Sequence, residues 1–207
     1  MTSTDVPYVF HPATEPGAPT LLLLHGTGAD EHDLLGLGRT LYPGAALLSP
    51  RGQVNENGAN RWFRRLREGV FDVDDVVART DDLADFVNAV AAKHELDTRR
   101  ILAVGFSNGA NIAAAALLLH PGLLRGAVLL AAAAPLQDRQ PDMVDLSGTS
   151  VFLGAGTADP ITPIDQAHLL AEQLTERGAD VTVTQHPGGH ALPPNVVDEA
   201  RSWLRKV

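Results

Sequence analysis

Residues 20–25 (TLLLLH) form an uninterrupted apolar run of strand length that ends in Gly26-Thr27-Gly28. A run without polar alternation offers no face to water, so it suits a strand covered on both sides. Further strand-like segments recur at 45–49, 101–104, 127–131, 150–153 and 181–185, and helical segments fall between them at 30–41, 74–94, 108–119, 164–177 and 195–205. In the second of these, Val76, Val77, Leu83, Phe86, Val87 and Val90 recur at helical spacing. Asp30, Glu31 and Asp33 suit a helix N-terminus, and Gly178 a helix stop. Residues 53–72 have no clear period and contain Asn-Glu-Asn-Gly, which reads as one long loop of the functional kind. Strand–helix alternation over nearly the whole length predicts a single α/β domain, 1–207, with a mostly parallel central sheet and helices on both faces. No internal repeat or linker interrupts it.

Composition removes several classes of function. The chain is 44% hydrophobic and 20% charged, a globular balance, and its 207 residues suit one domain. A net charge of −9 argues against nucleic acid as a partner, because phosphate binding needs cationic surface. With no cysteine there is no disulfide framework, thiolate metal site or cysteine nucleophile. The first residues lack a signal-peptide pattern, and no apolar run approaches the roughly 20 residues needed to cross a bilayer. The expectation is a cytoplasmic protein that does not engage the membrane.

Gly105-Phe106-Ser107-Asn108-Gly109 lies between the strand at 101–104 and the helix at 108–119. A serine on such a sharp strand-to-helix turn has its hydroxyl exposed above the sheet edge, and the flanking glycines let neighbouring backbone approach. Chance composition yields only about 0.05 matches to this Gly-x-Ser-x-Gly pattern in the chain. A serine needs a base, and the base an orienting group. Among eight histidines, His190 follows the strand at 181–185 on Pro187-Gly188-Gly189 and so reaches the same sheet edge as Ser107. His186 stands four residues earlier, but the Pro-Gly-Gly between them forbids the helix a metal-binding pair would need, so no metal site is expected. His25 is expected to brace the Gly26-Thr27-Gly28 turn. Asp159, in Gly156-Thr157-Ala158-Asp159-Pro160 after the strand at 150–153, is the candidate acid. Asp138, Asp142 and Asp145 are alternatives, and an Asp-Pro turn is the plain structural role for Asp159. Oxyanion donors are expected from the backbone N–H groups of Asn108 and Thr27.

Taken together, His25-Gly26-Thr27-Gly28, the Ser107 turn, Asp159-Pro160-Ile161-Thr162-Pro163 and Gly188-Gly189-His190 resemble the bacterial phospholipase/carboxylesterase family. That family is related to the acyl-protein thioesterases and, more distantly, the dienelactone hydrolases. Ser49-Pro50-Arg51-Gly52 and Arg61-Trp62-Phe63-Arg64-Arg65 extend the likeness over most of the chain. The resemblance implies a cap-free α/β-hydrolase with Ser107 as nucleophile, Asp159 as acid, His190 as base and Thr27 and Asn108 as oxyanion donors. Asn108 stands where acyl-protein thioesterases usually have Gln, and Thr27 where Leu is common, which favours the carboxylesterase branch. The family also places the aromatic segment near the site, so Trp62 and Phe63 are expected to wall the substrate pocket or, as the plain alternative, to pin their loop to the core; Ile161 and Leu192, two residues beyond Asp159 and His190, read equally as pocket liners or loop anchors. Arg61, Arg64, Arg65 and Arg67 read either as receptors for an anionic substrate group or as partners of Asp72, Asp74 and Asp75.

The resulting expectation is a serine carboxylesterase that hydrolyses small to medium esters through an acyl-enzyme, without cofactor. Its partner is a small-molecule ester, and an uncapped sheet domain is open to pairing as a homodimer. The alternatives are a thioesterase or lysophospholipase with the same triad, or a non-catalytic α/β-hydrolase that binds small molecules.

Overall fold

The computed structural model describes residues 6–137, 139 and 143–207. In chain order the elements are β1 (Tyr8–His11), β2 (Thr20–Leu24), α1 (Leu35–Leu41), β3 (Ala46–Pro50), β4 (Val54–Glu56), β5 (Ala59–Arg61), β6 (Arg65–Arg67), β7 (Val70–Phe71), α2 (Val73–Lys93), β8 (Ile101–Phe106), α3 (Asn108–Leu119), β9 (Gly126–Leu130), β10 (Ser150–Gly156), α4 (Ile164–Thr175), β11 (Asp180–His186) and α5 (Pro194–Leu204). Seven strands form one sheet in the order β1-β3-β2-β8-β9-β10-β11. Every pairing in it is parallel except β1 with β3. The mostly parallel sheet matches the expectation from the apolar runs.

The two-residue period of each strand divides the core. Leu22, Leu24, Ala103, Ala127, Leu129, Val151 and Leu153 face α2, α3 and α4. Their neighbours Leu21, Leu23, Leu102, Val104, Val128, Leu130 and Phe152 face α1 and α5. Each strand therefore needs apolar residues at consecutive positions, which is why β2 and β9 are buried end to end. Helix α3 is buried over almost its whole circumference, and its small residues Ala110 and Ala113 to Ala116 admit close packing against the sheet and α2. In α5, Val196, Ala200 and Leu204 recur every fourth residue and bury one face.

Three segments differ from the sequence reading. Helix α1 begins only at Leu35, because Asp30 Oδ1 accepts the His32 N–H (2.9 Å) in a turn that precedes it. Residues 53–72 are two small antiparallel hairpins, β4–β5 and β6–β7. Asn57 (φ 54°) and Gly58 (φ 88°) make the tight turn of the first, the left-handed pair such a hairpin requires. β1 is an additional antiparallel edge strand, half-buried and only four residues long. Among the described residues no helix is long and apolar enough to cross a membrane.

Candidate active site

Strands β2, β8, β9, β10 and β11 run parallel, so the loops after their carboxyl ends share one edge of the sheet. The chain passes from β2 outward to β3, then returns to β8 on the other side of β2. Such a reversal opens the crevice in which open α/β sheets hold ligands. Leu24 and Gly105 are register partners, so the loops beginning at His25 and Phe106 start level with one another.

Ser107 has φ 53° and ψ −118°, a conformation that L side chains rarely adopt. Its N–H donates to Leu130 O (2.8 Å) and its carbonyl accepts the Asn111 N–H (3.0 Å), so the turn is held from both sides. The two glycines are sterically required. A Cβ at Gly109 would lie 1.9 Å from Leu24 O, and one at Gly105 2.6 Å from both Ala110 N and Gly109 O. Backbone atoms occupy both spaces, so no side-chain rotation relieves either clash.

Ser107 Oγ lies 2.9 Å from His190 Nε2. The other ring nitrogen, Nδ1, donates to Asp159 Oδ2 at 2.7 Å. Asp159 is buried, and its second oxygen accepts the N–H groups of Ile161 (2.8 Å) and Thr162 (2.9 Å). The aspartate thus forms the turn its Asp-Pro sequence suggests and faces the histidine at once. The loops bearing acid and base are laced by Thr157 N–H to His186 O (2.8 Å) and Ala158 N–H to Gly188 O (3.1 Å). His186 Nδ1 accepts the Gly188 N–H (3.2 Å), so His186 shapes the loop that carries His190. Of the alternative acids, Asp145 is exposed and turns back onto Ser147 N–H, while Asp138 and Asp142 lie outside the described residues. Among the described residues no group of three or more His, Asp or Glu side chains is arranged to hold a metal.

Asn108 is the first residue of α3, so its N–H has no acceptor within the helix. It lines one groove with Ser107 and Thr27. Residues 60–62 fasten the Thr27 loop in place. Gly28 N–H donates to Asn60 O (2.9 Å), Asn60 Nδ2 to Ala29 O (2.9 Å), Arg61 Nη1 to Thr27 Oγ1 (3.0 Å) and Trp62 Nε1 to His25 O (2.9 Å). Trp62 N–H also reaches across to Asn108 Oδ1 (2.7 Å), joining the two loops expected to supply oxyanion donors.

His25 completes the frame. Its Nδ1 faces Gly26 O at 2.7 Å, and its Nε2 accepts the Gly52 N–H at 2.9 Å. These partners require a neutral ring protonated on Nδ1. Burial holds its pKa below the ordinary imidazole value, opposed by the Gly26 carbonyl and by Asp33, Asp30 and Glu31. The folded state therefore refuses a proton that the unfolded chain accepts. This contribution is present above the ordinary imidazole pKa and is lost as pH falls below it. Thermal denaturation at pH 7.5 and 5.5 checks this: His25→Gln should lose less stability on acidification than the wild type. An equal loss in both proteins would assign the acid sensitivity to other groups.

The groove beside Ser107 has a volume of about 230 Å³. Ile161 lines it, half-exposed. Trp62 and Phe63 do not line it and take the loop-anchoring alternative instead. Phe63 is fully buried edge-on to Phe71, and Trp62 is buried against His25. Both rings gain more from the core than from a solvent-filled groove, and both anchor their loop. Phe71 is the aromatic residue on the wall, with Asn111, Thr162 and Gln166 nearby. The arginine cluster divides. Arg64 pairs with Asp72 (3.0 Å) and Asp75 (3.5 Å), which holds the Asp72 carboxyl below its usual range. Arg61 and Arg65 share Glu56 (3.3 and 3.5 Å) and line the groove. Asn60 and the burial of Arg61 were not legible beforehand, because both depend on the 53–72 segment folding back over the Thr27 loop.

Comparison with known proteins agrees with this fold. The phospholipase/carboxylesterase family model matches residues 7–207. MhqD of Bacillus subtilis strain 168, named a hydrolase, is 45% identical over 187 residues, covering 90% of this chain and 92% of its own. The Bacillus cereus carboxylesterase structure superposes with a TM-score of 0.93 at 42% identity, covering 98% of this chain and 95% of that one. The structure of YahD with malic acid superposes at 0.90 with 32% identity, covering 97% and 98% of the two chains. With the family model spanning all but the first six residues, the chain belongs to the phospholipase/carboxylesterase family of α/β-hydrolases.

Proposed function

We propose that the protein is a serine carboxylesterase for small carboxylic esters, with Ser107, His190 and Asp159 as its catalytic triad. The continuous path from Ser107 Oγ through His190 to Asp159, at 2.9 and 2.7 Å, carries this reading. Ser107 Oγ attacks the ester carbonyl while His190 Nε2 takes its proton. Asp159 keeps the proton on Nδ1 and stabilises the imidazolium that forms. The carbonyl oxygen becomes an oxyanion facing the N–H groups of Asn108 and Thr27, donors that need no reorganisation as charge develops. Collapse of this intermediate breaks the bond to the alcohol, which leaves with the proton from His190. Water then enters, gives a proton to His190, attacks the acyl-enzyme and releases the acid and free Ser107.

The groove favours short acyl groups. Its volume of about 230 Å³ is below the range of roughly 300–1,000 Å³ usual for drug-sized ligands. The related YahD structure contains malic acid, itself a small acid. A thioesterase or lysophospholipase acting on long chains would need a longer apolar channel. A panel of p-nitrophenyl esters tests this: kcat/KM should be greatest for acetate to butyrate and fall steadily toward longer chains. A maximum at palmitate would instead favour the long-chain reading.

A further inference from the structure

Arg61 is only 4% exposed, on a residue that lines the groove next to Ser107. Taking a guanidinium out of water is costly unless its donors and its charge are answered. The protein answers Arg61 incompletely. Nη1 donates to Thr27 Oγ1 (3.0 Å), and Nε approaches Phe63 O and Glu56 Oε2, both at 3.3 Å. Glu56 is shared, since Arg65 Nε lies 3.5 Å from the same oxygen and Arg65 N–H donates to Oε1 (3.1 Å). One carboxylate therefore serves two guanidinium groups. Burial lowers the Arg61 pKa, the direction expected for a cation left short of counter-charge.

A buried donor beside it is unanswered as well. Asn108 Nδ2 has no hydrogen-bond partner, and the amide cannot be reversed because its Oδ1 accepts the Trp62 N–H. An unmatched amide donor and a guanidinium whose one carboxylate is shared thus border the same groove, and the guanidinium favours an anion as the acceptor there. Glu68, the one acid among the described lining residues, is exposed on the β6–β7 turn, where solvent screens it.

The geometry also separates the two ends of a substrate. The leaving alcohol must take its proton from His190 Nε2, and His190 does not line this groove. The groove is thus on the acyl side. We propose that it is a subsite for a short acyl chain ending in a carboxylate, received by Arg61 with Arg65 at the mouth, so that the preferred substrates are half-esters of small dicarboxylic acids. This rests on the serine-esterase reading above. In the reaction the bond from Ser107 Oγ to the acyl carbon forms, the bond to the alcohol breaks, and one water yields the free dicarboxylate. The remote carboxylate takes no covalent part; it positions the carbonyl between Ser107 and the oxyanion donors.

Monoethyl glutarate and ethyl valerate carry five-carbon acyl groups and differ at the far end, carboxylate against methyl. Their hydrolysis, followed by acid release at constant pH, tests the subsite. The wild type should favour monoethyl glutarate by at least about tenfold in kcat/KM, the scale of one charge-assisted hydrogen bond. Arg61→Gln should remove most of that preference, chiefly through KM, and Arg65→Gln a smaller part. A measurement on the wild type alone covers any folding defect in the variants: glutarate should inhibit ethyl valerate hydrolysis at least about tenfold more tightly than glutaramide. Turnover of ethyl valerate with no preference, or equal inhibition by the two, overturns the carboxylate subsite and leaves the esterase reading standing. Turnover of neither ester overturns the esterase reading beneath it.

Discussion

Ser107→Ala should lower kcat for a short-chain ester by roughly 10⁶-fold, the loss found when the nucleophile of a serine triad is removed. The residual rate would come from the oxyanion donors and substrate positioning alone. The fold should survive, because the hydrogen bonds that hold residue 107 use its backbone: N–H to Leu130 O, and carbonyl to Asn111 N–H. The melting temperature of Ser107→Ala should therefore stay close to wild type. Ser107→Gly should be equally inactive and more stable, since φ 53° with ψ −118° strains a residue with a Cβ by about 1–3 kcal/mol. Steady-state kinetics beside differential scanning calorimetry separate the two effects. Substantial activity in Ser107→Ala would remove the serine from the chemistry, and a collapse in stability would make its role structural.

Asp159→Asn should cost about 10⁴-fold in kcat while leaving the loop folded. The asparagine carbonyl can still accept the Ile161 and Thr162 N–H groups that Asp159 Oδ1 accepts now. Its amide nitrogen, however, would face His190 Nδ1 as a donor. The ring would then have to accept at Nδ1 and carry its proton on Nε2, pointing at Ser107 Oγ, where it can no longer act as a base. The loss comes from the wrong tautomer rather than from displaced atoms. Were the plain turn-forming role of Asp159 the whole of it, Asp159→Asn would be nearly silent. Kinetics of the folded variant distinguish the two, and a loss under about tenfold would assign Asp159 to the turn alone.

What could be read from the sequence follows how local each feature is. The strands were legible because burial on both faces demands consecutive apolar residues, as in Leu21 to Leu24. The Ser107 turn was legible because its constraint lies within five residues. Asp159 and His190 could be placed near it because parallel strands deliver their following loops to one edge. Features that depend on distant chain were not legible. β1 is half-buried and pairs with β3 about forty residues away, which no local period announces. The 53–72 segment hid two hairpins because their strands are two or three residues long, although Asn57-Gly58 was a turn signal in plain view. Trp62 and Phe63 read from sequence either as pocket wall or as anchors of their loop. Nothing in an Arg-Trp-Phe sequence says which way its rings turn, and the core claimed both. Arg61 shows the converse: in sequence one of four similar arginines, it alone is buried, because 60–62 closes over the Thr27 loop.

The hairpin segment thus links frame to chemistry. It holds the Thr27 loop through four side-chain and backbone contacts, reaches Asn108 through Trp62 N–H, and presents Arg61 to the groove. His25 secures the other side of the same loop through Gly52 N–H. The backbone donors expected to meet the oxyanion are fixed before substrate arrives, which is the condition for electrostatic stabilisation of a developing charge.

The central claim is that Ser107 is an activated nucleophile, and covalent labelling tests it most directly. The folded protein, treated at neutral pH with a fluorophosphonate and digested, should yield a single modified peptide with the adduct on Ser107. Labelling should be slowed strongly in Asp159→Asn. A folded wild-type protein that remains unlabelled, or that carries the adduct on another residue, would contradict the account.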